Sequence, residues 1–346
     1  MITRTDGQYE ARTRWNTHES GTAFDRKKFL YLTEQAQAFI AQQALCIVAG
    51  VGAQQDPYGC LVFGEPGFVQ VIDQYTCLLP VASDEASWLM QGLQQAQAYE
   101  CTARVGLFFI SHATRERLCV EGTAEILVSS LSPCLPMSWR PDDRTYILVR
   151  VERSFFHCPK YIRTNIDGLT VAPAPSPWRL EELVQHRQIT ETLRVFLAQQ
   201  VLCFLCTVNQ SGYCAVNHRG GKRGFLVALP AHKTAVGGEV LLPDYEGNGA
   251  FEAIGNILET ERAAIVVPDY SAQLALCLSG LARVVEIEEL STELQRCCIG
   301  ARRVIRLLVQ RVTGQAGDWS APLAYERDRA WLHRLSSSRS MSVCPT

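Results

Sequence analysis

FIAQQALC at Phe39–Cys46 and FLAQQVLC at Phe196–Cys203 nearly coincide, and the second runs on through FLC to give a Cys-x-x-Cys pair, Cys203 and Cys206. Either the cysteine spacing or the likeness between the two stretches carries the information. The two readings separate once the comparison is carried outward. The 157-position offset between Phe39 and Phe196 also pairs Ala41 with Ala198, Gln42 with Gln199, Gln43 with Gln200 and Leu45 with Leu202. It then pairs Gly64, Gly67 and Phe68 with Gly221, Gly224 and Phe225. At an offset of 163, Leu78-Leu79-Pro80 meets Leu241-Leu242-Pro243, so the second copy has gained six residues in between. At 158, Arg104, Cys119, Gly122 and Ala124 meet Arg262, Cys277, Gly280 and Ala282, and Ile147, Val151 and Arg153 meet Ile305, Val309 and Arg311. A nearly constant offset over more than a hundred residues marks two copies of one domain.

Each copy reads alike. A short helix (YLTEQAQAFIAQQ, ITETLRVFLAQQ) leads into an apolar strand, then a second strand near Gly-Phe, then a hairpin whose last strand ends in Leu-Leu-Pro. A helical stretch and three further β-branched runs complete the copy. Short β-rich runs punctuated by Gly, Pro and Asp predict strands, and about six of them with one or two helices predict a small antiparallel barrel. The chain is therefore mainly β, of α+β type. VAPAPSPWR, with prolines at 173, 175 and 177, reads as an extended linker. The expected organisation is an N-terminal extension over 1–35, copy one over 36–170, a linker over 171–189, copy two over 190–315 and a tail over 316–346. Tandem copies of this kind predict an intrachain pseudo-dimer, as a monomer or as a homodimer of such chains.

At 346 residues, two domains are the natural expectation. Hydrophobic residues at 47% against charged residues at 20% predict a packed protein. A net charge of −2 gives no global attraction to nucleic acid or to an anionic membrane, so anion binding must come from a local cluster. No apolar run is long enough to span a bilayer, and MITRTDGQYEARTRW has no apolar leader region. The expected location is the cytoplasm.

Fourteen cysteines in a chain of this size, many inside apolar runs, predict reduced core thiols. Cys203 and Cys206 sit three apart on a predicted strand, which sends their side chains to opposite faces. Phe204 and Leu205 lie between them and no second Cys-x-x-Cys exists, so core filling is the reading and no metal site is expected.

The copies differ most in charge. NHRGGKRGF (Asn217–Phe225) stands against CLVFGEPGF (Cys60–Phe68), so His218, Arg219, Lys222 and Arg223 replace Leu61, Val62, Glu65 and Pro66. Cationic side chains around Gly220 and Gly221 suit an anion, because glycine admits close backbone approach and arginine matches phosphate oxygens. LPDYEGNGAFEAIGNIL (Leu242–Leu258) places Tyr245 and Asn248 before a helix expected to start near Gly249, either as a phosphate-binding N-terminus or with Asn248 as a plain N-cap. VERSFFHCPKYIR (Val151–Arg163) gathers His157, Cys158 and Lys160 with no counterpart in copy two. No nucleophile, base and orienting group stand together, so the catalytic residues are left open.

These stretches resemble the pyridoxamine 5′-phosphate oxidase-like FMN-binding split-barrel family, and within it a two-domain bacterial subgroup. RVGLFFISHATRERLCVEG (104–122) is similar to its VGLL…ATRRRLRVNG, FFHCPKYI to its NCPKYI, AVNHRGGKRGFL to DVSHRGGxPGFV, and LPDYEGNGAFEAIGNIL to PDFxGNxxFNTLGNLL. The resemblance covers most of 36–165 and 190–312. It implies two tandem split β-barrels with FMN at their interface, the phosphate held by basic and hydroxyl side chains. By that resemblance His218, Arg219, Gly220 and Gly221 match HRGG, Asn248 matches Gly-Asn, and Cys158, Pro159 and Lys160 match CPK. The chain departs from the pattern at Gly249-Ala250, where relatives place arginine, at His157 and at Arg223. Lys222 and Arg223 then supply positive charge.

The resemblance implies an FMN-dependent oxidoreductase acting on a small organic substrate. No GxGxxG follows a strand, so NAD(P)H would act as a free reductant, or a separate reductase would serve. Two alternatives are a scaffold whose barrels have lost flavin and a haem-binding split barrel using His112, His157 or His218.

Overall fold

The computed structural model describes residues 5–52, 56–81, 87–98, 101–127, 145–184, 188–230 and 237–340. Two short helices, α1 (Asp6–Arg14) and α2 (His18–Asp25), precede the first copy. That copy comprises α3 (Glu34–Ile40), β1 (Leu45–Val51), β2 (Pro57–Phe63), β3 (Gln70–Asp73), β4 (Thr76–Val81), α4 (Ser87–Ala98), β5 (Arg104–Ser111), β6 (Glu116–Leu127) and β7 (Thr145–Phe156). A short helix, α5 (Leu180–Val184), lies in the Pro-rich connection. The second copy comprises α6 (Glu191–Gln199), β8 (Leu202–Val208), β9 (Cys214–Gly220), β10 (Val227–Leu229), β11 (Glu239–Asp244), α7 (Glu252–Thr260), β12 (Arg262–Asp269), β13 (Leu274–Glu286), α8 (Thr292–Cys297) and β14 (Arg303–Ala316). Residues past 316, expected as a tail, include the 21-residue helix α9 (Ser320–Ser340).

The repeated segments fold alike for identifiable reasons. Thr33 caps α3 by accepting from the Ala36 amide, and Thr190 caps α6 by accepting from the Leu193 amide. At the other end, the second glutamine of each AQQ turns back on its helix. Gln43 Nε2 donates to the Phe39 carbonyl at 2.8 Å, and Gln200 Nε2 to the Phe196 carbonyl at 3.1 Å. Buried apolar strands follow directly.

Each copy forms a seven-stranded sheet, ordered β2-β1-β5-β6-β7-β4-β3 in the first and β9-β8-β12-β13-β14-β11-β10 in the second. Element for element these orders are the same, and every pairing is antiparallel. Even the irregularity repeats. The register shifts between Glu121 and Gly122 in β6 and between Ser279 and Gly280 in β13. A Cβ at Gly122 would lie 2.0 Å from the Arg150 carbonyl oxygen, and one at Gly280 2.0 Å from that of Leu308, so each bulge requires glycine.

The two barrels meet through β1, β2 and β5 of one and β8, β9 and β12 of the other. Gly59 of β2 lets Cys206 and Val266 approach, and Cys119 Sγ touches the Val216 carbonyl oxygen at 3.5 Å. Cys203 and Cys206 are both fully buried and face opposite ways: Cys203 packs in the second barrel's core, Cys206 in the core shared across the junction. Burial pushes the Cys203 thiol up to about 12. The N-terminal helices span the same junction. Arg12, fully buried, donates to Asp25 at 2.6 and 3.1 Å and to the Ala250 carbonyl at 3.1 Å, while Phe24 packs edge-on against Phe155 of the first barrel. Among the described residues, no helix is long and apolar enough to cross a membrane.

Candidate functional site

A cleft of about 900 Å³, counted out to its open mouth, lies where β9 and the start of α7 face the chain that leaves β7. Its polar centre is built on Arg117. This residue sits on β6 and is buried, with 8% of its surface exposed. Nε and Nη2 donate to the Cys158 carbonyl at 3.0 and 2.6 Å, Nη2 also reaches the Lys160 carbonyl at 3.2 Å, and Nη1 donates to His218 Nδ1 at 3.4 Å. No carboxylate pairs with Arg117 among the described residues. Burial lowers its pKa, but a guanidinium stays charged at any physiological pH.

Because Arg117 donates to Nδ1, the His218 ring proton sits on Nε2, and Nε2 is buried without a partner. His112, on the β5–β6 turn, donates Nδ1–H to the Arg163 carbonyl at 2.8 Å, which leaves its Nε2 lone pair buried and unpartnered. The two rings lie 5.9 Å apart, edge to face. Burial pushes His112 down to about 4 and His218 well below its ordinary value, with Arg117 adding to both. His157 stacks on Phe24, with Nε2 3.1 Å from Cys119 Sγ, and burial takes it to about 4 as well.

The far wall is ionic. Asp244 takes both Arg219 and Arg303, the latter at 2.7 Å. Glu252, in the first turn of α7, is held by Lys28 at 2.7 Å, and Lys28 also reaches Asp25 at 3.0 Å. The Lys28 side chain is 1% exposed, so these pairs are almost wholly withdrawn from water. Burial and the nearby Glu252 raise the pKa of Glu121, which pairs with Arg153 at 2.5 Å.

The repeat predicts a second, pseudo-symmetric cleft between β2 and the end of β14. There Leu61 stands for His218, Val62 for Arg219, Phe63 for Gly220, Tyr270 for His112, Ala275 for Arg117 and Gln315 for His157. That space is filled. Gln315 clamps the Leu61 backbone, accepting from its amide at 2.9 Å and donating to its carbonyl at 2.8 Å. Trp319, 1% exposed, stacks on Phe63 with ring centroids 4.4 Å apart.

Solved structures share the architecture over one copy. A candidate pyridoxamine 5′-phosphate oxidase from Lactobacillus delbrueckii is 20% identical, covering 37% of this chain and 94% of that one, at a TM-score of 0.29. The FAD binding protein of Mycobacterium smegmatis is 14% identical, covering 37% and 95%, at 0.26. HutZ, the haem storage protein of Vibrio cholerae, is 13% identical, covering 37% and 94%, at 0.24. No family model and no curated protein matches the sequence. The fold is a split barrel, built twice.

Within this tandem split barrel, the residues singled out from sequence divide between two clefts. Lys160, His218, Arg219, Gly220, Tyr245 and Asn248 line the first. Gly221, Lys222 and Arg223 lie beyond the end of β9 and line a neighbouring cleft, which shares Tyr161, Gly220, Phe225 and Tyr245 with the first. Arg223 donates to the Gln199 carbonyl at 3.0 Å and pairs with Asp167 at 3.4 Å. The helix expected near Gly249 begins at Glu252 instead. Asn248 Oδ1 accepts from the Ala250 amide at 3.1 Å in a local turn, and Phe251 follows at φ 55°. Gly220 earns its place, since a Cβ there would meet the Tyr161 carbonyl oxygen at 2.8 Å and the His218 ring at 3.0 Å. Arg117, Glu252 and Lys28 escaped the sequence reading. At an offset of 158 Arg117 stands against Ala275, a contrast as large as those that drew attention to HRGGKR.

Proposed function

We propose that this chain binds one flavin, as FMN, in the first cleft and acts as a flavin-dependent oxidoreductase on a small organic substrate. The observation that carries this is Arg117, a buried guanidinium with no carboxylate partner among the described residues and one Nη1 hydrogen uncommitted. Anionic ligand groups stabilise such a site strongly, because a buried unpaired cation is otherwise costly. The donor set fits the group. His218 Nε2–H is an orphaned donor in the cleft, Lys160 is exposed at its rim, and Gly220 keeps the space open that Phe63 fills in the other copy.

When bound, FMN supplies the electron and hydride chemistry. Arg117, Lys160 and Arg219 would hold the phosphate, and Tyr161 and Phe251 would wall the ring. The neutral His218 would donate one hydrogen bond from Nε2 without taking up a proton near neutrality. One site per chain follows from Gln315 and Trp319, which fill the pseudo-equivalent cleft. Titrating the apoprotein with FMN by flavin fluorescence tests this, with Arg117→Gln as the comparison. Quenching that saturates at one equivalent and weakens at least about tenfold in the variant supports the reading, since charge-assisted hydrogen bonds are of that size. Equal affinity in both proteins removes it.

Haem is the second reading, and one observation favours it. His112 presents a buried, unpartnered Nε2 lone pair, with its ring 5.9 Å from that of His218. A neutral imidazole is an iron ligand. Both an FAD binding protein and a haem storage protein have this fold, so the fold does not choose. A Soret shift on haem titration that disappears in His112→Gln would favour haem over flavin.

A further inference from the structure

The neighbouring cleft has a character of its own. About 1270 Å³ out to its open mouth, it is lined by Arg115, Arg163, Lys222, Arg223 and Arg296, and no carboxylate lines it. All five cations are exposed. Two are partly engaged: Arg115 donates to the Pro159 carbonyl at 3.1 Å, and Arg223 pairs with Asp167. Arg163, Lys222 and Arg296 pair with no carboxylate among the described residues. These cations come from four separate segments of both copies, so their convergence is a product of the fold. The chain as a whole carries −2, which makes the positive field local.

The cleft also has a flat wall. Tyr161 and Tyr245 lie with ring centroids 5.7 Å apart and planes 32° from parallel. Tyr161 adopts φ 66°, a strained conformation for an aromatic residue, and its hydroxyl donates to the Glu246 carbonyl at 2.9 Å. Both tyrosines belong to both clefts, so they form the partition between them.

We propose that this second cleft binds a nucleotide through its diphosphate. Arg163, Lys222 and Arg296 would take the phosphate oxygens, and Tyr161 or Tyr245 would stack on the base. Arginine forks and a lysine point charge are the chemistry that recognises adjacent phosphates, and aromatic faces stack on bases of any identity. A nucleoside diphosphate suits the scale of the field better than a nucleic acid does, because the positive surface extends over one cleft and the net charge opposes a longer polyanion. The site lies across Tyr161 and Gly220 from the first cleft, where a cosubstrate would reach it. The proposal does not depend on which ring the first cleft holds.

Calorimetric titration of the full chain with ADP, and with adenosine as control, tests it alongside the double variant Arg163→Gln/Arg296→Gln. The expected result is saturation at one ADP per chain, at least about tenfold tighter than adenosine, reduced about tenfold or more in the variant and weakened by salt. FMN and haem binding in the first cleft should be unchanged in that variant, which separates loss of this site from loss of fold. ADP no tighter than adenosine, or ADP affinity unaffected by the double variant, overturns the proposal. So does tighter binding of a single-stranded oligonucleotide at several chains per strand, which would mark a polyelectrolyte surface.

Discussion

Arg117 of the first barrel donates to His218 Nδ1 of the second at 3.4 Å. That contact joins the two copies at the bottom of the cleft and fixes the imidazole tautomer. It also holds the Cys158–Lys160 segment in place, because the same guanidinium caps two of its carbonyls. The fold is symmetric and the chemistry is not: one junction carries Arg117 and three histidines, whereas the other is packed with Gln315 and Trp319.

The plugged junction makes the first prediction. Trp319→Ala should destabilise the chain by about 3–5 kcal/mol, the range for truncating a large buried aromatic. It should leave ligand stoichiometry at one per chain, because Leu61, Val62 and Ala275 stand where the first cleft has His218, Arg219 and Arg117, and Gln315 stays committed to the Leu61 backbone. Chemical denaturation and a ligand titration of the variant check the two halves.

Gly220→Ala should act on the cleft itself. The added Cβ meets the Tyr161 carbonyl oxygen at 2.8 Å and His218 Cε1 at 3.0 Å, so Tyr161 or His218 must shift. Ligand affinity should fall by about tenfold or more. Titration alongside a thermal melt distinguishes this from unfolding.

Much of this arrangement was legible from the repeat, and the reasons for the rest are physical. Identical Thr caps and AQQ helix ends gave local signals that needed no tertiary context, and matching offsets placed the strands. Lys222 and Arg223 adjoin His218 in sequence, which predicts a single cradle. β9 ends at Gly220, however, and the turn beyond carries them past the partition into the other cleft. Lys28 and Glu252 are too far apart along the chain for any local pattern to pair them. Arg117 is legible only from its contrast with Ala275, because it stands on a strand outside any glycine-rich turn.

Lys28→Met should cost about 3–5 kcal/mol. Removing the cation leaves the buried Glu252 without its partner, and an unpaired buried carboxylate is among the more expensive defects. Lys28→Met/Glu252→Gln should recover part of the loss, and urea denaturation of both variants measures the coupling.

Stability should also depend on pH through the histidines. His112 and His157 are held near 4 by burial, against about 6.5 when unfolded. A depressed folded value means the stabilisation is complete above about pH 6.5 and is lost as pH falls toward 4, because the unfolded chain takes up the protons first. The melting temperature should therefore drop over that window, and less steeply in His112→Asn, which keeps a donor for the Arg163 carbonyl.

The most direct test is the absorbance spectrum of the freshly purified chain, followed by FMN titration of the same sample. Flavin absorbance bands are expected, either at once or on adding FMN, with saturation at about one equivalent per chain. A protein with no flavin bands that binds no added FMN, or one that binds two equivalents, would contradict the flavin reading.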